Sequence, residues 1–148
     1  MAEDRKLNTQ YLPSTISGND EQLVEDYKIC KTIMQKASRN YSFASVFLPA
    51  NKLHHVEALY AFFRIGDDRV DVSHEGFHSS EEAIDNWESL YWKAFSTGSS
   101  SHPVLRAYLN TANTFNIPAS LMESYFVSMR TDLRQTRYFA FDDLMRYI

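Results

Sequence analysis

Apolar residues recur along this chain with helical period, in long runs separated by short polar breaks. In "NDEQLVEDYKICKTIMQKAS", Leu23, Tyr27, Cys30 and Met34 follow at spacings of three and four, the signature of one helix face. Asn19 and Gln22 have the spacing of a capping box at its start. "RNYSFASVFLP" alternates like a strand, but no partner strand is evident. It reads as a short helix or an ordered loop, closed by Pro49. "NKLHHVEALYAFFRIGDDRVDV" is the longest apolar helix, and "SHEGFHSS" is the loop after it. "SEEAIDNWESLYWKAF" begins with Ser80 as cap and places Glu81 and Glu82 in a first turn, where the helix dipole favours acids. After "STGSSSH", Pro103 suits the first turn of a helix running to about Phe115. "NIP" breaks the pattern, a helix from about Ala119 to Gln135 follows, and Asp142 or Asp143 opens a last one. The fold class predicted is all-α. Residues 1–18 are expected to be a flexible lead-in, and residues 19–148 a bundle of about six to seven helices.

Composition narrows the function classes. The chain has 148 residues, 44% hydrophobic and 14% aromatic, enough for one domain with a real core. Four Gly and four Pro disfavour a turn-rich β fold. A formal charge of −4 weighs against a nucleic-acid partner, whose binding face is usually basic. Cys30 is the lone cysteine, which excludes a disulfide within the chain, suits a reducing, cytoplasmic setting and reads as a small apolar helix residue. No run of about 18 apolar residues occurs, and the N-terminus lacks the apolar core of a secretory signal. The five histidines have no metal-ligand spacing, and neighbouring His54 and His55 are expected to point in different directions. Trp87 and Trp92 read as filling between helices. Arg130, Arg134 and Arg137 share a face that reads as a solvated or salt-bridged stripe, with Asp132 placed to orient one of them; diphosphate binding is the alternative role.

One feature is out of place in a core helix: the longest apolar run ends in "YAFFRIGDDRVD". A helical residue advances about 100° and 1.5 Å, so Tyr60, Arg64, Asp67 and Asp71 stack on one face, within about 60° of each other. Asp67 and Asp71 lie about 6 Å apart along the axis. Like charges one turn apart repel, and placing them beside apolar surface costs stability unless a cation neutralises them. Two such carboxylates can share a hard divalent cation, and Mg²⁺ prefers oxygen ligands and bridges to phosphate. Asp68, about 100° away, is a candidate outer or second-metal ligand. Arg64 can pair with Asp67 or hold an anion beside the metal. A solvated acidic face is the alternative.

The same segment resembles the first aspartate-rich motif of the squalene and phytoene synthases, D-x-x-x-D after an "LYAF-x-R" lead. The likeness continues through "YKICKTIMQKASRNYSFASVFLP", "HPVLRAYLNTANTFNIP" and "MRTDLRQTRYFAFDDLMRY". The resemblance implies an isoprenoid-synthase helical fold around a central cavity. It implies head-to-head condensation of two prenyl diphosphates through a cyclopropyl intermediate, with Mg²⁺, or Mn²⁺ in its place, as cofactor. By position, Asp67 and Asp71 match the metal-holding acids, Arg64 the arginine beside the diphosphate, and Tyr60 the tyrosine one turn earlier. Ser38 and Arg39 match polar residues at the mouth of the substrate site, where Asn40 and Tyr41 replace the family's Ser-Phe. Tyr147 matches a tyrosine near the reacting carbons. Ionisation of an allylic diphosphate demands a dry pocket, for which Tyr41, Phe43, Phe47, Phe62 and Phe63 are candidate rings, with plain packing as the alternative.

The family's second aspartate-rich motif lies downstream of the position matching Ile148, so residues 19–148 read as the N-terminal half of such an enzyme. Geranylgeranyl diphosphate is the favoured substrate, giving phytoene and a place in carotenoid biosynthesis. Farnesyl diphosphate, giving squalene or dehydrosqualene, is the alternative, and NADPH enters only for a squalene-type reaction. The remaining alternative is a non-catalytic helical binding or assembly module. Products this apolar imply a peripheral contact with a membrane. A half-bundle would also expose apolar faces, which predicts self-association.

Overall fold

The computed structural model describes residues 20–71, 76–131 and 145–146. The lead-in 1–18, the cap at Asn19, the last helix opening at Asp142 or Asp143, and Asp132, Arg134, Arg137 and Tyr147 lie outside the described residues. Within them the chain is all-α, with six helices and no strand: α1 Asp20–Ala37, α2 Tyr41–Phe47, α3 Ala50–Asp71, α4 Ser80–Thr97, α5 Pro103–Phe115 and α6 Ala119–Thr131. The ambiguous "RNYSFASVFLP" is thus helical over Tyr41–Phe47.

Helix α3 is the central element. Val56, Ala58, Leu59, Ala61, Phe62 and Phe63 are all buried, on more than one face. A helix apolar over most of its circumference must be surrounded, and α3 packs against α1, α4 and α5, with α2 over its N-terminal part. The Phe62 ring sits at the centre. It stacks on Tyr108 at 4.5 Å between centroids and meets Trp87 at 5.3 Å and Tyr91 at 5.8 Å. Phe62 and Phe63 therefore serve packing among α3, α4, α5 and α6. Trp87 is fully buried between helices, as its sequence context suggests. Trp92 is half-buried, its Nε1 donating to Glu88 Oε2 at 2.8 Å.

Local chemistry explains the ends. Ser79, not Ser80, caps α4: its backbone is extended and its Oγ accepts from the Glu82 N–H at 3.1 Å. Ser80 Oγ instead donates to Val70 O at 3.2 Å, tying the start of α4 to the end of α3. Pro103 stands in the first turn of α5 and Asn116 closes it in the left-handed conformation.

Two buried polar links hold α1 onto its neighbours. Arg106 reaches Asp26 through Nε and an Nη nitrogen, both at 2.8 Å. Tyr27 OH lies 2.8 Å from Thr111 Oγ1, accepts from Asn110 Nδ2 at 2.8 Å and donates to Ala107 O at 3.2 Å. His55 Nδ1 lies 2.8 Å from the same Thr111 hydroxyl, and burial, with His54 beside it, holds the His55 imidazole down to about 3. The rings of His54 and His55 do not diverge as expected. Their centroids are 3.9 Å apart, and Tyr27 packs edge-on against both, at 4.7 and 5.8 Å.

Candidate functional site

The candidate face runs along the C-terminal half of α3. Tyr60, Arg64, Asp67 and Asp68 are all half-buried there, and Asp71 is the last residue of the helix. One carboxylate oxygen of Asp67, Oδ1, is enclosed by the protein. Arg64 pairs with Asp68 rather than Asp67: Nε stands 3.1 Å from Asp68 Oδ1, with the two side chains 40% and 48% exposed. Helical spacing accounts for the choice, because i and i+4 side chains lie closer to one line than i and i+3. Asp68 is thus committed to an ion pair with Arg64.

The second arginine of "YAFFRIGDDRVD" has a separate task. Arg69 points to the opposite side, donating from Nη1 to Ala83 O and Asn86 Oδ1, each at 2.9 Å. Its guanidinium lies 5.0 Å from the centre of the Phe77 ring and 5.6 Å from that of Trp87. Arg69 therefore fastens the acidic end of α3 to α4. Gly66 sits on this segment against α6, where an added Cβ would stand 2.3 Å from Tyr125 OH. Arg130 likewise spans helices, bonding Asp85 and Glu88 of α4, so the first member of the arginine stripe is salt-bridged.

The turn before α2 approaches α3 at its other end. Ser38 N–H donates to Met34 O at 2.8 Å, and Ser38 Oγ accepts from the Asn40 N–H at 3.2 Å, which fixes the turn. Arg39 and Asn40 are exposed. Tyr41 OH donates to Glu57 Oε2 at 2.7 Å. Burial first, then the hydrogen bond and charge of Glu57, push the Tyr41 phenol up to about 12. Glu57 itself is 3% exposed, and burial raises its carboxyl above the ordinary range. Glu57 lies seven residues before Arg64 and three before Tyr60, on the same side of α3 to within about 60°. It also lines a cavity of about 330 Å³ in the α1–α3 groove, with Tyr27, Lys31, Leu53 and His54.

Tyr41, at the end of the Ser38–Tyr41 turn, is thus tied to α3 through Glu57, a residue the sequence reading missed. Its signal is a lone acid in "HHVEALYAF". The aromatic candidates divide. Tyr41 is half-buried, Phe62 and Phe63 are core, and Phe43 and Phe47 are exposed, their rings 4.4 Å apart. Among the described residues no three His, Cys, Asp or Glu side chains converge. Tyr147 and the Asp71 side chain are outside what is described.

Residues 34–148 match the family model for squalene/phytoene synthase. The chain belongs to the squalene/phytoene synthase family. It is similar to phytoene synthase 1, chloroplastic, of Zea mays, 27% identical over 146 residues that make up 97% of this chain and 35% of that protein. It is 25% identical to the phytoene synthase of Arthrospira platensis over 123 residues, 83% of this chain and 39% of that one. Its fold is similar to the crystal structure of squalene synthase HpnC from Alicyclobacillus acidocaldarius, with a TM-score of 0.68, 26% identity, and coverage of 86% and 44% of the two chains. The all-α architecture is thus that of the isoprenoid-synthase helical fold. This squalene/phytoene synthase chain spans well under half the length of these relatives.

Proposed function

We propose that this chain supplies one diphosphate-binding wall of a prenyltransferase that joins two prenyl diphosphates head to head. The observation that supports it best is the α3 face: Tyr60, Arg64, Asp67 and Asp71 in register, with Asp68 drawn aside to Arg64. A hard divalent cation suits this donor set, because it offers oxygen only, and a carboxylate with an enclosed oxygen beside an apolar core is relieved by positive charge. Asp67 and Asp71 would hold it. Bound there, Mg²⁺ would supply positive charge against the departing diphosphate.

The chain's own groups do the rest. Arg64 engages Asp68 through Nε, and a guanidinium carries four further N–H donors on its terminal nitrogens, suited to diphosphate oxygens. The Ser38–Tyr41 turn offers Arg39 and Asn40 as exposed donors. Tyr41, anchored on Glu57, holds that turn against α3.

The favoured substrate is geranylgeranyl diphosphate, condensed to phytoene through a cyclopropyl intermediate, in keeping with the phytoene synthases among the similar proteins. Farnesyl diphosphate and a squalene-type product is the second reading, favoured by the likeness to a structure described as a squalene synthase. The test is product analysis of the native full-length protein with Mg²⁺ and each diphosphate in turn. A C40 hydrocarbon from the C20 substrate, lost in Asp67→Asn, is expected. A C30 product alone would select the second reading, and no diphosphate release from either would overturn both.

A further inference from the structure

The last turn of α3 is unfavourable by its own sequence. Asp67, Asp68 and Asp71 all fall at the end of the helix Ala50–Asp71. A helix C-terminus carries the negative end of the macrodipole, so acids there destabilise it, and Asp67 and Asp71 repel each other one turn apart. The final carbonyls also lack partners within the helix. Asp68 is offset by Arg64. Left to its own propensities this turn should fray, and fraying would take Asp67 and Asp71 out of register.

Arg69 is the basic residue of that turn. It stands two residues from Asp67 and two from Asp71, about 160° round the helix from each. Its side chain crosses to α4, where Nη1 donates to Ala83 O and to Asn86 Oδ1, each at 2.9 Å. The guanidinium also lies 5.0 Å from the centre of the Phe77 ring and 5.6 Å from that of Trp87. Ala83 and Trp87 are fully buried, so the anchor belongs to the packed core. Beside it, Ser80 Oγ donates to Val70 O at 3.2 Å, and Val70 packs against the same core. The acidic turn is therefore held to α4 from the side away from its acids.

We propose that Arg69 is a positioning residue for the acids of α3: it clamps the last turn to α4 and keeps Asp67 and Asp71 in one register before a cation arrives. This rests on the reading that those two acids hold a divalent cation. Arg69 itself contacts neither cation nor diphosphate. Its contribution is preorganisation, because the turn is ordered during folding rather than during binding. The sign of its effect separates this role from simple electrostatics. By Coulomb's law alone, removing a positive charge near a cation site tightens binding; removing a clamp weakens it.

Titration calorimetry and amide hydrogen exchange on the native full-length protein test this. Arg69→Met should weaken Mg²⁺-dependent binding of inorganic pyrophosphate about tenfold or more, the loss usual for a residue that supports metal ligands from outside. Without ligand, its amides at residues 66–71 should exchange faster than in wild type, and saturating Mg²⁺ with pyrophosphate should slow them again. Arg69→Lys, which keeps a donor for Ala83 O, should recover part of the affinity. Asn86→Ala alters only the exposed α4 end of the clamp. It should weaken binding in the same direction, and it decides the matter should Arg69→Met not fold. Tyr27→Phe, which loosens α1 from α5, should lower the melting temperature and leave the affinity at the wild-type value. Three results would overturn the clamp while leaving the α3 acids as a metal site: affinity in Arg69→Met equal to wild type or tighter, amides at 66–71 that exchange no faster, or an equal loss of affinity in Tyr27→Phe. Wild-type protein that binds no pyrophosphate with Mg²⁺ would overturn both readings.

Discussion

The Nε of Arg64 stands 3.1 Å from Oδ1 of Asp68, one turn along α3, leaving Asp67 outside that pair. Two adjacent aspartates thus have different surroundings: Asp68 faces a guanidinium near solvent, and Asp67 has an oxygen enclosed in the protein. An exposed i,i+4 pair is worth only about 0.3–0.5 kcal/mol. Asp68→Ala should therefore leave thermal stability nearly unchanged. Its effect on pyrophosphate affinity should also be small beside that of Asp67→Ala. Thermal melts and calorimetry on both variants check the ordering, and equal losses of affinity would contradict it.

The Asp26–Arg106 pair is the buried counterpart. Its side chains are only 3% and 12% exposed, and two 2.8 Å bonds join α1 to α5. Removing one partner strands the other charge in a poorly solvated place, which costs about 3–5 kcal/mol. Asp26→Ala should lower the urea midpoint strongly. The double change Asp26→Leu with Arg106→Met should be milder than the two single changes added together.

Gly66 lets α6 lie close to α3. A Cβ there would stand 2.3 Å from Tyr125 OH but 3.5 Å from Cζ, so the hydroxyl is the obstacle. Gly66→Ala should destabilise by about 1–3 kcal/mol through overpacking. In a Tyr125→Phe background the same change should be near neutral, because alanine's helix propensity then counts in its favour. Equal cost in the two backgrounds would place the clash elsewhere.

Burial holds the His55 imidazole at about 3, against an ordinary value near 6.5. Between those limits the unfolded chain binds a proton that the folded chain refuses. This part of the stability is complete above about pH 6.5 and is lost as pH falls towards 3, with a slope approaching about 1.4 kcal/mol per pH unit. Asn keeps a polar atom near the Nδ1 position facing Thr111 but does not titrate. The stability difference between wild type and His55→Asn should therefore narrow on acidification. A constant difference from pH 7 to pH 4 would contradict the assignment.

Much of this fold was legible in the sequence because the strong signals were local. Pro103 and the apolar period defined α5, and the run "LHHVEALYAFFRI" could only be a surrounded helix. The capping serine was displaced by one position because both Ser79 and Ser80 can cap, and the tertiary bond from Ser80 to Val70 decides between them. His54 and His55 leave the helix about 100° apart, yet Tyr27 packs on both rings and brings them together. No spacing rule contains that contact. The α3 face was readable because four residues on one helix fix their own geometry. Glu57 was missed because its meaning lies in Tyr41, sixteen residues away, and Tyr41 was read for its ring rather than its hydroxyl.

The central claim is that Asp67 and Asp71 grip a divalent cation and, through it, pyrophosphate. Isothermal titration of inorganic pyrophosphate into the folded protein, with and without Mg²⁺, tests it most directly. Saturable binding that requires Mg²⁺ and is lost in both Asp67→Asn and Asp71→Asn, with the helical spectrum intact, is the predicted result. Binding that persists in those variants, or none at all in the folded wild type, would contradict it.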